Sequence, residues 1–194
     1  MNDLAIIHET TGTWGALPFL TINESDFGMA KLKNTKLILL TQGKFTIVDT
    51  DDFDWLNQWK WGLYSNEKRG RIYAIRTIFI HPDGTRFKTS LRMHRIIMNA
   101  PIDMQVDHIN GDGLDNRRCN LRICTNKENA SNKKHRAGGS SKFKGICWHK
   151  AVGKWYAYIN NKSIGYYTSE IDAAKAYNKA ALKYHGEFAR LNII

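Results

Sequence analysis

The chain has 194 residues, 42% of them hydrophobic and 24% charged, with a net charge of +11. That length allows one larger domain or two small ones, and the apolar fraction excludes a solvating tail. No apolar run nears the roughly 18 residues a membrane span needs, no basic-then-apolar leader opens the chain, and three cysteines make no disulfide framework. The expectation is a cytoplasmic protein with no membrane and no obligate protein partner.

Residues 1–35 mix polarities and predict no clear element. KLILL and KFTIV flank Gln42-Gly43 and predict a hairpin. The acids from Asp49 to Asp54 favour a helix start ahead of FDWLNQWKW, where Trp55, Trp59 and Trp61 read as core aromatics. Residues 71–80 and 85–91 flank His81-Pro82-Asp83-Gly84 and predict a second hairpin. KKHRAGGSS, residues 133–141, is basic and then Gly/Ser-rich, and reads as a tether between two modules. FKGICWH, KWYAYIN and KSIGYYT predict three strands, joined near Gly153 and at Asn160-Asn161. Alternation puts Ile146, Trp148, Trp155, Ala157 and Ile159 on a core face, with Cys147, His149, Lys154, Tyr158 and Asn160 opposite. Ser169 to Tyr184 predicts a helix capped by Ser169 and stopped by Gly186, its alanines allowing close approach to the sheet.

Charge placement points to a partner. Residues 1–90 carry 11 Lys/Arg against 10 Asp/Glu, whereas residues 91–194 carry 18 against 8. Between Glu128 and Glu170 stand eight basic residues and no acid, interleaved with Phe143, Trp148, Trp155, Tyr156 and Tyr158. A folded surface of one sign is the footprint of a polyanion, nucleic acid first.

The chemistry concentrates in VDHINGDGLDNRRCNLRICTNKENASN. Asp107 is a hard oxygen anion suited to one divalent ion, Mg²⁺ with Mn²⁺ possible. His108 is the candidate general base, since an unperturbed histidine titrates near pH ~6.5 and can take a proton from water. Strand neighbours point to opposite faces, so both serve one site only where the strand ends, and Asn110-Gly111-Asp112-Gly113 supplies that break. Thr125 and Glu128 form a capping-box pattern that opens a helix, with Asn129 about one turn in. Arg95, Arg117, Arg118 and Arg122 lie near enough in sequence to grip phosphates, as do Lys133, Lys134 and Arg136 on the tether. A zinc site from Cys119, Cys124, Cys147 and His135 lacks the paired spacing zinc requires, and buried free thiols are expected instead.

The span from His94 to Asn132 resembles the HNH (ββα-metal) motif of phage and intron-encoded homing endonucleases. The resemblance implies that Asn120 holds the two strands in register as support for His108, and that Asn129 completes the metal site with Asp107. Residues 142–192, closing on GEFARLN, resemble the plant ethylene-response-factor (Apetala-type) DNA-binding domain. Lys144, His149, Lys154, Tyr158 and Asn160 would then contact double-stranded DNA, with Lys150 and Lys162 at the turns. Cys147 and Asn160 stand where the plant domains tend to have arginine, and Ser163 where they have tryptophan, so their GC preference does not carry over.

The reading is an α+β chain in four parts: a β-rich segment over 1–92, a ββα-metal core over 93–132, the tether over 133–141, and a three-stranded antiparallel sheet packed on one helix over 142–194. Its expected activity is metal-dependent hydrolysis of DNA phosphodiesters at a recognised site. The rivals are a non-catalytic DNA-binding regulator and a nuclease acting on RNA or on any DNA.

Overall fold

The computed structural model describes residues 34–66, 70–80, 86–135 and 138–194. The turn expected at His81–Gly84, the phosphate contact expected of Arg136, and residues 1–33 lie outside the described residues. Helix and strand are mixed, and the chain divides into two compact units, 1–97 with 113–118, and 98–112 with 119–194. These cut across the motif boundaries expected from the sequence.

The first unit opens with an antiparallel hairpin, β1 (Thr35–Leu39) and β2 (Phe45–Asp49), in the register Leu37↔Ile47. Gln42 and Gly43 make the turn in left-handed backbone conformations. Helix α1 (Thr50–Leu56) follows, then a sheet of β3 (Gly62–Asn66), β4 (Arg71–Ile80) and β5 (Phe87–Arg92) with β4 central, and α2 (Met93–Ile97). Strand β3 has no signal in its sequence, GLYSN. It forms because β4 offers an edge, with Tyr64 opposite Tyr73; pairing overrides propensity. Ile38, Leu40, Val48, Leu56, Trp61, Ala74, Met93 and Ile97 are its buried apolar residues. Only Trp61 of the three expected tryptophans is fully buried, its indole N–H donating to the Leu56 carbonyl at 2.8 Å. Trp55 and Trp59 are half-buried and meet edge to face at 6.1 Å.

Residues 113–118 belong to this unit through specific bonds. The Ile47 N–H donates to the Leu114 carbonyl at 2.9 Å and the Asn116 N–H to the Ile47 carbonyl at 2.8 Å. The Thr46 hydroxyl donates to the Leu114 carbonyl at 2.7 Å and accepts from the Asn116 amide at 2.7 Å. Both side chains are fully buried, so each bond stands in for a lost bond to water. Gly113 lies so close to Ile72 that a Cβ there would sit 1.8 Å from its carbonyl oxygen.

In the second unit β6 (Gln105–His108) pairs antiparallel with β7 (Leu121–Cys124), and α3 (Asn126–Ser131) follows. Strands β8 (Ile146–His149), β9 (Lys154–Ile159) and β10 (Lys162–Tyr167) form an antiparallel sheet with β9 central. Asn160 and Asn161 turn β9 into β10 with φ of 49° and 60°. Helix α4 (Glu170–His185) lies on one face, capped by the Ser169 hydroxyl. Ala173, Ala174, Tyr177 and Ala181 pack there against Phe143, Ile146, Ala157 and Ile159. Gly145, at φ 74°, lets the chain pass Tyr177, whose ring a Cβ would meet at 2.3 Å.

Trp148, expected in this core, is 40% exposed; it lies at the sheet edge, edge-on to Trp155 at 5.2 Å. The end of the expected tether is likewise part of the module. Ser141 is buried and donates to Glu170 at 2.7 Å, and the Ser140 hydroxyl accepts from the Trp148 N–H at 2.7 Å.

Candidate functional site

Strand β6 ends at His108, where the Gly111 N–H closes a turn on the His108 carbonyl at 2.8 Å. Gly111 adopts φ 75°, a conformation that costs a side chain and not a glycine. Asp107 and His108 are each 6% exposed. Asn120 closes the loop from the far side: its carbonyl oxygen accepts from the Asn110 N–H at 3.0 Å and its amide donates to the Asn110 side chain at 3.1 Å. The two ends of the loop are thereby tied beside His108.

The Asp107 carboxylate is held by two residues. Arg122, directly opposite it in the register, donates through Nε at 3.0 Å and Nη2 at 2.7 Å to Oδ2. The Asn132 amide donates to both carboxylate oxygens, at 3.1 and 3.0 Å, and to the His108 carbonyl at 2.9 Å. Asn132 is 7% exposed and was not anticipated. Its signal was available: in NASN it stands three residues after Asn129, which sets both on one face of a helix. Asn129 itself is half-buried one turn into α3.

Capping fixes where α3 begins. Thr125 accepts from the Glu128 N–H while its own N–H donates back to the Glu128 carboxylate at 2.7 Å. That backbone bond and the Thr125 hydroxyl hold the Glu128 carboxyl below the usual range.

A divalent ion is tested by the donor set. Oδ1 of Asp107 takes a single N–H, so it keeps accepting capacity for a hard cation. Among the described residues no cluster of three or more His, Cys, Asp or Glu side chains forms. One carboxylate with amide and water oxygens suits Mg²⁺ or Mn²⁺, which keep much of their hydration, and not a closed zinc cage. The three cysteines are free; only Cys124 is buried, while Cys119 is exposed and Cys147 half-buried. Burial, reinforced by Asp107, pushes the Cys124 thiol up to about 11.

The expected phosphate-binding arginines are largely committed to carboxylates. Arg117 forks onto Asp115 at 2.7 and 2.6 Å. Arg118 forks onto Asp52 at 2.7 Å on both arms, with its N–H on Asp49. Arg122 is turned inward, 12% exposed, because Asp107 lies opposite it. Arg95 is half-buried on α2. Lys133 and Lys134 are exposed beyond α3.

In the C-terminal sheet Lys150, Lys154, Tyr158, Asn160 and Lys162 are exposed and His149 half-buried. Tyr156 and Tyr166, also not anticipated, join them: Tyr156 stacks on Tyr158 at 5.7 Å and lies 5.0 Å from Tyr166, which meets His149 edge-on at 5.4 Å. Alternation from Lys154 already places Tyr156 on that face. Lys144 departs from expectation. Its ammonium donates to the Ser131 carbonyl at 2.5 Å, and burial, with Arg190 nearby, lowers its pKa to about 8.

Comparison with known proteins bears on both parts. Residues 93–131 match the family described as HNH endonuclease. An HNH endonuclease of Acanthamoeba polyphaga mimivirus is 30% identical over 158 residues, covering 79% of this chain and 77% of that protein. Protein 3.8 of Escherichia phage T7 is 30% identical over 97 residues, 47% of this chain and 80% of the relative. APETALA2-like protein 2 of Oryza sativa is 40% identical over 62 residues, 29% of this chain, and the chain spans only 14% of that protein's length. No solved structure matches. No described helix is long and apolar enough to cross a membrane.

Proposed function

The chain belongs to the HNH endonuclease family, and from there we propose that it is a metal-dependent, homing-type endonuclease that hydrolyses phosphodiesters at a recognised site in double-stranded DNA. The observation that carries this reading is the adjacency of two buried residues at the end of β6, Asp107 and His108: Asn132 holds the Asp107 carboxylate and the His108 backbone carbonyl, and Asn120 closes the loop that follows.

His108 takes the proton from the water that attacks phosphorus, at a ring nitrogen that must be neutral to accept it. Asn120 keeps the loop beside His108 closed, which restrains the backbone that carries the imidazole. Asp107 and Asn129 would hold the ion, which supplies charge stabilisation at the phosphate and the departing oxygen when bound. Asn132 and Arg122 restrain Asp107 and do not contact DNA. The open sheet face, with His149, Lys154, Tyr158, Asn160 and the added Tyr156 and Tyr166, grips DNA together with Lys133, Lys134, Lys150, Lys162 and Arg95. Without an arginine on that face to read guanine, much of its affinity comes from phosphate contacts and falls steeply with salt. A DNA-gripping module beside a hydrolytic site supports action at chosen DNA sites over indiscriminate cleavage.

The test is cleavage of supercoiled plasmid carrying DNA that flanks the protein's own gene, with Mg²⁺ or Mn²⁺ and with EDTA. Metal-dependent nicking or linearisation by wild type, lowered about 10²-fold or more in His108→Ala with DNA binding retained, is the expected result. Binding without cleavage in either metal would replace the nuclease with a regulator.

A further inference from the structure

Arg122 makes more contacts than a carboxylate requires. Two of its nitrogens hold Asp107. The third, Nη1, donates to the Glu187 carbonyl at 2.6 Å, and the guanidinium lies over the Phe188 ring, 4.2 Å from its centroid. Glu187 and Phe188 sit in the 3-10 turn Gly186–Phe188 that ends α4, so one largely enclosed cation joins the candidate metal ligand to the closing turn of the C-terminal module.

Neighbouring bonds hold that turn on the same surface. His185 Nδ1 and the Ser131 hydroxyl lie 3.0 Å apart, Lys144 reaches the Ser131 carbonyl, and Arg190 donates to the Asn110 carbonyl at 3.1 Å in the loop after His108. The tail beyond is strapped to the module through Asn192, which exchanges bonds with Lys144 and Asn178. A shift of the turn would therefore break the Arg122 contacts with Glu187 and Phe188.

We propose that Arg122 is a positioning residue through which the C-terminal module sets the orientation of Asp107. This rests on the nuclease reading and names a control on its site. Only arginine satisfies the geometry: its planar fork spans two bonds to one carboxylate oxygen, donates a third at the other edge, and stacks its face on an aromatic ring. A lysine ammonium is a point charge that cannot do all three. Outer partners of metal-binding carboxylates fix the ligand's direction, and their loss commonly lowers metal affinity or turnover roughly 10- to 100-fold. Here the outer partner is itself held by a different module, so disturbance of Phe188 is felt at Asp107.

The experiment uses the full chain with Arg122→Lys, Phe188→Leu and Phe188→Tyr. Turnover at saturating DNA, DNA affinity, and Mn²⁺ binding followed by electron paramagnetic resonance without DNA are measured for each. Arg122→Lys and Phe188→Leu lose roughly 10- to 100-fold in turnover and bind Mn²⁺ more weakly, with DNA affinity changed less than about twofold. Phe188→Tyr, which keeps the ring under the guanidinium, restores both. A merely structural role predicts that Phe188→Leu, apolar and of similar bulk, behaves as wild type, and wild-type turnover and Mn²⁺ binding in Phe188→Leu and Arg122→Lys would overturn the proposal. A wild type that neither cleaves nor binds Mn²⁺ would instead sink the nuclease reading, and this proposal with it.

Discussion

Two arginine–aspartate forks, four residues apart in the sequence, sit in different units and serve different ends. In the first unit Arg118 clasps Asp52, which is 4% exposed and also accepts from the Trp55 indole at 3.2 Å. The Arg118 side chain is 54% exposed, so solvent screens that pair, and its effect is to pin residues 113–118 to α1. In the second unit Arg122 clasps Asp107, and both side chains are nearly buried, at 12% and 7%. A pair this enclosed is weak evidence of stability, because desolvation offsets its attraction. Its value lies in holding a carboxylate in one direction. The same two side chains thus make a solvent-screened staple in one place and an enclosed support for a carboxylate in the other, and burial together with neighbours decides which.

The largest effect should come from treating the two carboxylates alike. Asp107→Asn removes the anion the ion would use and is expected to lower cleavage at least about 100-fold, with the chain still folded. Asp52→Asn should leave turnover within about threefold and lower stability by about 1 kcal/mol, a value discounted for the exposed arginine. Turnover of both variants, with urea midpoints from the same preparations, checks this. Loss of cleavage in folded Asp52→Asn would show that the staple acts on the site as well, and the contrast would collapse.

Buried asparagines sharpen the same contrast on a smaller scale. Asn116 is fully buried between Thr46 and the β2 backbone, whereas Asn132 is 7% exposed and faces Asp107. Asn116→Ala leaves the Thr46 hydroxyl short of a donor and is expected to cost about 2 kcal/mol in urea denaturation. Asn132→Ala should cost a similar amount in stability but lower turnover further, roughly tenfold, because Asp107 is freed. Equal kinetic losses from the two would contradict the division of roles.

Much of this arrangement was legible in the sequence, for local reasons. The hairpin around Gln42-Gly43, the helix after Asp49, the capped helix from Thr125, and the three strands and helix of the C-terminal module follow from alternation, turn residues and caps, which act over a few positions. Strand β3 was not legible because its pairing partner, and not its own residues, makes it a strand. The fates of Arg117, Arg118, Arg122 and Lys144 were hidden for a related reason. A basic residue near a nuclease motif reads as a phosphate contact until the carboxylate or carbonyl opposite it is known, and those partners lie up to 66 residues away. Asn132 and Tyr156 are different, since helical spacing and strand alternation placed each beside a residue already singled out.

Lys144 gives the cleanest contrast with the forks, because this half-buried cation meets a carbonyl and the charge beside it is Arg190. Burial holds its pKa at about 8 in the folded chain against an ordinary 10.5. Between those values the unfolded chain binds the extra proton, so this residue makes stability rise with pH, starting near pH 8. Cys124 and Tyr177 act in the opposite sense, since burial raises their pKa to about 11 and about 12 and makes stability fall once their unfolded forms ionise. Wild type must therefore be compared with Lys144→Met, in which those two contributions are unchanged. The difference in urea midpoint, wild type minus variant, should increase from pH 8 to pH 10, whatever its value at neutrality. A flat difference would mean that Lys144 titrates like a solvated lysine, and that its bond to Ser131 does not hold the C-terminal module against α3 as the distances indicate.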